Sequence, residues 1–286
     1  MLKPRRPLRY ALAAGLLLLA IGGCTTLDEK QREWIFQPST QTWYGAGAAA
    51  EGMSEVWIEF NSREAAGAPV KLHALWLAQP RADAPVMLYL HGARWDVRSS
   101  AQRMRRMHEL GFSVLGIDYR GFGQSTPALP SEALAHEDAL AAWKWLAEKY
   151  PRAKRYAFGH SLGAAIAVRL AGDVDDAAGL IVEGSFPSIP ELVKSMKWGW
   201  LPVTPLITQR FDAGTQIERV KAPLLVVHGS EDQLIQPSLG RALYERGHAP
   251  KRFVLVEGGS HHNTNAVGHA AYRDAVAELF GVRANP

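Results

Sequence analysis

The sequence predicts an α/β fold, in which one mostly parallel sheet lies between layers of helices. Three observations carry this expectation. Short runs rich in Val, Ile and Leu alternate with longer helix-like stretches from Val56 onward. Some runs, such as Val86-Met87-Leu88-Tyr89-Leu90, are apolar throughout, as strands covered on both faces must be. A chain of 286 residues, 47% hydrophobic and 21% charged, can bury such a core without disulfide or metal staples.

The elements follow in order. Val56–Phe60 and Leu72–Leu77 read as early strands paired as a hairpin around Gly67. The strand Val86–Leu90 precedes a helix over Ala101–Leu110 and the strand Ser113–Ile117. A long helix from about Ser131 to Lys149 leads to the strand Arg155–Phe158, a helix from Ser161 to about Ala171 and the strand Gly179–Val182. Residues 186–216 interrupt the alternation with Pro187, Pro190, Pro202 and Pro205 around the apolar cluster Met196, Trp198, Trp200 and Leu201. The strand Leu224–Val227 resumes it, followed by a helix Pro237–Arg246, which proline suits at its first turn. A strand Phe253–Val256 and a closing helix Ala266–Phe280 end the chain. Alternation of this kind implies parallel strands joined by helical crossovers, and one domain, residues 54–286, accounts for it.

Ahead of that domain, Lys3, Arg5, Arg6 and Arg9 precede the apolar run Ala11–Ile21 and the small residues Gly22 and Gly23. This is the pattern of an export signal peptide over residues 1–23. The run is shorter than the roughly 20 residues that a membrane-spanning helix needs, which disfavours an uncleaved anchor. Cys24, the only cysteine, excludes an intramolecular disulfide and a cysteine-rich zinc site. Ile21-Gly22-Gly23-Cys24 resembles the lipobox of bacterial lipoproteins, which implies lipidation of Cys24 and attachment to a membrane surface of the cell envelope. The bland alternative is a small cysteine in a plain signal sequence. Residues 24–53 read as a lipidated N-terminus and linker with no sustained period.

The net charge of +4 would ordinarily raise nucleic acid as a partner. The signal segment holds four basic residues and no acidic ones, so 28 of the 32 basic residues remain against 28 acidic. The balance removes the support for nucleic acid.

The sharpest chemical signal is Gly159-His160-Ser161-Leu162-Gly163, after a strand and before an alanine-rich helix. A G-x-S-x-G at such a junction is a nucleophile elbow, where glycines permit the close approach that the strained turn requires. A helix beginning there also aims backbone N–H groups at an oxyanion. His91-Gly92-Ala93 ends an earlier strand and supplies the second donor loop. The oxyanion donors expected are therefore the N–H groups of Leu162 and Ala93, with His91 as a loop brace. Gly229-Ser230-Glu231-Asp232 ends a strand in a glycine turn with carboxylates. Asp232 is the candidate acid, with Glu183 at an earlier strand end as its rival. Gly258-Gly259-Ser260-His261-His262 follows the last strand and offers His261 as the base, with His262 beside it as the alternative. Asp118-Tyr119-Arg120-Gly121-Phe122-Gly123-Gln124-Ser125 reads as a structural loop. No histidine spacing supports a metal site, and no cofactor is expected.

These motifs, in this order over residues 54–280, resemble the α/β-hydrolase superfamily, in its serine-dependent bacterial branch with a short lid at about 186–216. The resemblance implies cleavage of carboxylic esters, thioesters or occasionally amides through an acyl-enzyme on Ser161, His261 and Asp232. An elbow serine argues against the branches that use an elbow aspartate. The expected substrate is a small-molecule or lipid-like acyl ester. Acyl transfer on the same residues stays open, as does a non-catalytic lipoprotein that keeps the fold, although the latter predicts a broken triad.

Overall fold

The computed structural model describes residues 25–248 and 250–283. The expected signal peptide and Cys24 lie outside the described residues. The chain builds an eight-stranded sheet in the order β1-β2-β4-β3-β5-β6-β7-β8. The strands are β1 (Ser54–Asn61), β2 (Pro69–Leu77), β3 (Val86–Leu90), β4 (Ser113–Ile117), β5 (Arg155–His160), β6 (Ala177–Glu183), β7 (Leu224–Gly229) and β8 (Lys251–Val256). The β1–β2 and β2–β4 pairings are antiparallel, and every later pairing is parallel. The β1–β2 hairpin turns at Gly67, whose φ of +85° suits a residue without Cβ.

The helices are α1 (residues 25–36), α2 (Ala101–Glu109), α3 (Glu132–Lys149), α4 (Leu162–Asp173), α5 (Ile189–Ser195), α6 (Ala213–Gln216), α7 (Pro237–Arg246), α8 (Thr264–Val267) and α9 (His269–Phe280). Alternation along β3 shows how both faces are covered. Leu88 and Leu90 join a core that includes α3 and α4, while Met87 and Tyr89 join one that includes α2 and α9. Ser131 caps α3 by accepting from the Leu134 amide at 3.2 Å. Residues between β6 and β7 contain α5, a short 3₁₀ turn at Thr204–Leu206 and α6, in the region expected to form the lid.

Two expectations are corrected. Residues 25–53 are not a featureless linker: 25–36 are helical, and Phe36 is fully buried against Phe211 with ring centroids 5.6 Å apart. The segment is held largely by polar side chains reaching residues far along the chain, such as Arg32 Nε to the Pro130 carbonyl at 2.9 Å, so no apolar period announces it. The closing helix is broken at Gly268 into α8 and α9. A Cβ at Gly268 would come within 2.5 Å of Val256 Cγ2, so tight packing on β8 requires glycine there.

The loop after β4 is a buried scaffold. Asp118 accepts from the Val97 amide and lies against His73 Nδ1, each at 2.7 Å. Arg120 Nε donates to Asp138 Oδ1 at 2.7 Å, and the Arg120 amide donates to Oδ2 at 2.9 Å. Arg120→Ala strands the fully buried Asp138, and urea unfolding should show a loss of about 3–5 kcal/mol. An unchanged unfolding midpoint would count against a stabilising role for the pair.

Candidate active site

The end of β5 bends sharply into α4. Ser161 occupies the bend with φ +56° and ψ −123°, a conformation that costs an L-residue on the order of 1–3 kcal/mol and persists only where neighbours enforce it. Its amide donates to the Glu183 carbonyl at 2.9 Å. The flanking glycines are required by contact. A Cβ on Gly159 would sit 2.3 Å from the Gly163 carbonyl oxygen, and one on Gly163 would sit 2.2 Å from that of Leu90. The loop after β3 abuts the bend, since a Cβ on Gly92 would lie 3.0 Å from Ser161 Cβ. Ala93 thus lies one residue from the serine's immediate neighbour, and Leu162 opens α4 directly after it.

His91 Nδ1 lies 2.7 Å from the Gly92 carbonyl, and its ring packs 4.6 Å from Tyr119 and 5.1 Å from Phe122. These contacts brace the loop.

The loops that carry the candidate acid and base meet at the ends of β7 and β8. A Cβ on Gly229 would be 2.1 Å from the Gly259 carbonyl oxygen, and the Glu231 amide donates to that same oxygen at 2.8 Å. Asp232 Oδ1 accepts from the amides of Leu234 at 3.0 Å and Ile235 at 2.8 Å. Its Oδ2 lies 2.8 Å from His261 Nδ1 and 3.3 Å from His228 Nε2. Burial pushes the Asp232 carboxyl up, but the hydrogen bonds from His228, His261 and the Ile235 amide outweigh it and hold the pKa well below the usual carboxylate range. An ionised carboxylate only accepts, so Nδ1 is the His261 nitrogen that donates to it, which leaves Nε2 as the acceptor in the neutral ring.

His261 is buried and His262 exposed, so the structure pairs Asp232 with the former. Glu231 is exposed. Glu183 is engaged elsewhere: Arg103 Nε donates to its Oε1 at 2.9 Å, and the Tyr272 hydroxyl donates to its Oε2.

Sequence reasoning missed Arg103, which lies in no motif. It projects from α2, and its Nη2 donates to the carbonyls of His261 at 3.2 Å and His262 at 2.8 Å, so it holds the base loop by its backbone. His160 Nε2 lies 3.0 Å from the His261 carbonyl and 3.3 Å from Arg103 Nη2. Burial first, then the charges of Arg103 and His261, push the His160 pKa well down and keep the ring neutral. The bend at Ser161 and the loop of His261 are therefore tied directly, through His160, the residue before Ser161.

Among the described residues, no group of three or more His, Cys, Asp or Glu side chains is arranged to hold a metal ion. The arrangement fixes one nitrogen of His261 against a buried carboxylate and ties its backbone to His160, the residue that precedes Ser161.

The chain matches the family described as serine aminopeptidase, S33, over residues 81–213. It is 31% identical over 271 residues to an uncharacterized protein of Mycobacterium tuberculosis, covering 94% of each chain. It is 30% identical over 180 residues to the lysophosphatidylserine lipase ABHD12 of Danio rerio, covering 56% of this chain but 47% of that protein. Among solved structures, a Pyrococcus furiosus esterase superposes with a TM-score of 0.67 at 21% identity, over 87% of this chain and 97% of the other. The ferulic-acid complex of Est1E from Butyrivibrio proteoclasticus gives 0.65 at 18% identity, over 79% and 99%.

Proposed function

We propose that this chain, which belongs to the α/β-hydrolase superfamily, is a serine hydrolase that cleaves carboxylic esters through an acyl-enzyme on Ser161. The observation that carries this reading is the buried 2.8 Å contact between Asp232 Oδ2 and His261 Nδ1, tied to an elbow whose serine sits at φ +56°. His261 Nε2 takes the proton from Ser161 as its oxygen attacks the acyl carbonyl, and Asp232 stabilises the imidazolium. The N–H groups of Leu162 and Ala93 receive the oxyanion, each contributing roughly 3 kcal/mol to the transition state. The leaving alcohol takes the proton from His261, and a water activated by the same ring then releases the acid.

The substrate class we favour is a lipid-like acyl ester. The lysophosphatidylserine lipase relatives support it, and so does the apolar surface of the lid. Trp198 is 62% exposed and Trp200 73% exposed. Leu27, Gln31 and Trp34 share one face of α1, and Gln31 Nε2 donates to the Leu206 carbonyl at 2.7 Å, so exposed Trp34 and Leu206 lie on the same side. Indole rings favour such boundaries between apolar and wet surroundings.

A fluorophosphonate probe tests the nucleophile: wild-type protein is labelled and Ser161→Ala is not. Labelling of the variant, or none of the wild type, overturns the assignment. A panel of p-nitrophenyl esters of rising acyl length, run beside acyl-thioesters and an aminoacyl anilide, ranks the bond types. Repeating it with an alcohol acceptor separates hydrolysis from acyl transfer.

Lipidation of Cys24 would hold the enzyme at a membrane surface of the cell envelope. Cys24→Ser should then abolish labelled palmitate incorporation and move the protein to the soluble fraction. Retention of both label and membrane association sinks this part of the proposal.

A further inference from the structure

We propose that residues 36–43, which run from the last residue of α1 towards the 3₁₀ turn at Gly47–Ala50, position the oxyanion loop and so form a working part of the active site; this rests on the reading of Ala93 as an oxyanion donor. The loop needs an external brace. Directly after Ala93, Arg94 and Trp95 have φ values of +65° and +58°, two successive L-residues in the left-handed region. Such residues visit that region rarely and stay in it only where the surroundings hold them.

The brace comes from the N-terminal segment. The Arg94 amide donates to the Phe36 carbonyl at 2.9 Å, and the Asp96 amide donates to the Gln41 carbonyl at 3.1 Å. The amides on both sides of Trp95 are therefore bonded to this segment. Side chains add to them: Arg94 Nε donates to Gln37 Oε1 at 2.6 Å, the Thr42 hydroxyl donates to Asp96 Oδ2, and the Trp43 amide donates to Ser99 Oγ at 2.8 Å.

The segment is itself fixed at three points. Phe36 is fully buried. The Gly123 amide donates to the Ser39 carbonyl at 3.0 Å. The Trp43 ring packs edge-on against His262, centroids 6.0 Å apart, so the segment runs from the oxyanion loop to the base loop. A mere tether needs none of these bonds, and they converge on one loop. If they are lost, Arg94 and Trp95 relax towards negative φ, and the N–H of Ala93 turns away from the place where the oxyanion forms. Residues 36–43 touch no reacting atom; they act through the loop.

The test is kinetic. The Gln37→Ala/Thr42→Val double variant should lower kcat about 10-fold or more with KM nearly unchanged, because misplacing a donor weakens the transition state more than the bound substrate. Binding of a trifluoromethyl ketone, whose tetrahedral adduct places an oxyanion in the hole, should weaken in the same proportion as kcat/KM. Thr42→Ser, which keeps the hydroxyl, should behave as wild type. Thermal unfolding of each variant checks that it is folded, and the two single variants serve if the double variant is not. Unchanged kcat and ketone affinity, or a rise in KM alone, overturns the proposal. Ser161→Ala in the same assay keeps the two readings apart. If it remains active the site assignment fails, whereas a dead Ser161→Ala beside a fully active double variant removes only the role of residues 36–43.

Discussion

His261→Ala is expected to lower kcat for ester hydrolysis about 10⁶-fold, the scale on which a triad that acts as a unit responds to losing its base. His262→Ala should cost far less, no more than about 10-fold from the loss of the Trp43 contact. The contrast rests on geometry: adjacent in sequence, the two rings differ in burial, and His261 has its Nδ1 against Asp232 at 2.8 Å. The truncation should not unfold the loop. Asp232 keeps its bonds from the Leu234 and Ile235 amides, and Arg103 still holds the backbone carbonyls of residues 261 and 262. Steady-state turnover of a p-nitrophenyl ester by both variants checks this, and a dead His262→Ala beside an active His261→Ala would reverse the assignment.

Asp232→Asn should cost about 10⁴-fold in kcat with the fold retained. An asparagine amide facing His261 Nδ1 favours the tautomer with the proton on Nε2, where it cannot accept from Ser161. The same residue makes a signed prediction for stability. Its folded-state pKa is depressed, so the carboxylate contributes stability that is fully present above its unfolded value of about 3.9 and is lost as pH falls below that towards the folded value. Wild-type protein should therefore lose unfolding free energy on acidification below about pH 4, and Asp232→Asn should lose less over the same window. Urea unfolding of both proteins at a series of acidic pH values decides it; identical slopes would contradict a depressed carboxyl in the native state.

Arg103 shows why part of the site was hidden from the sequence. Its contacts reach Glu183 and the carbonyls of His261 and His262, 80 to 159 residues away along the chain. No local period or spacing can report such a partnership. The contacts of residues 36–43 with the loop after β3 were hidden for the same reason, since they join segments distant in the chain, some through backbone carbonyls and some through the Gln37 and Thr42 side chains.

The legible features are the local ones. A continuous apolar run marks β3 because a strand covered on both faces favours apolar side chains at every position. Gly159, Gly163 and Gly229 mark turns where a Cβ would strike backbone. From the sequence alone, therefore, the α/β class and the candidate serine, acid and base positions could be named, because short-range sterics and hydrophobic periodicity dictate them. Tertiary structure decided what depends on the meeting of distant segments. It set which histidine faces Asp232, bound Glu183 to Arg103 and Tyr272, and made residues 25–43 part of the fold. Those outcomes follow from shape and hydrogen-bond complementarity across the folded chain, which no window of the sequence contains.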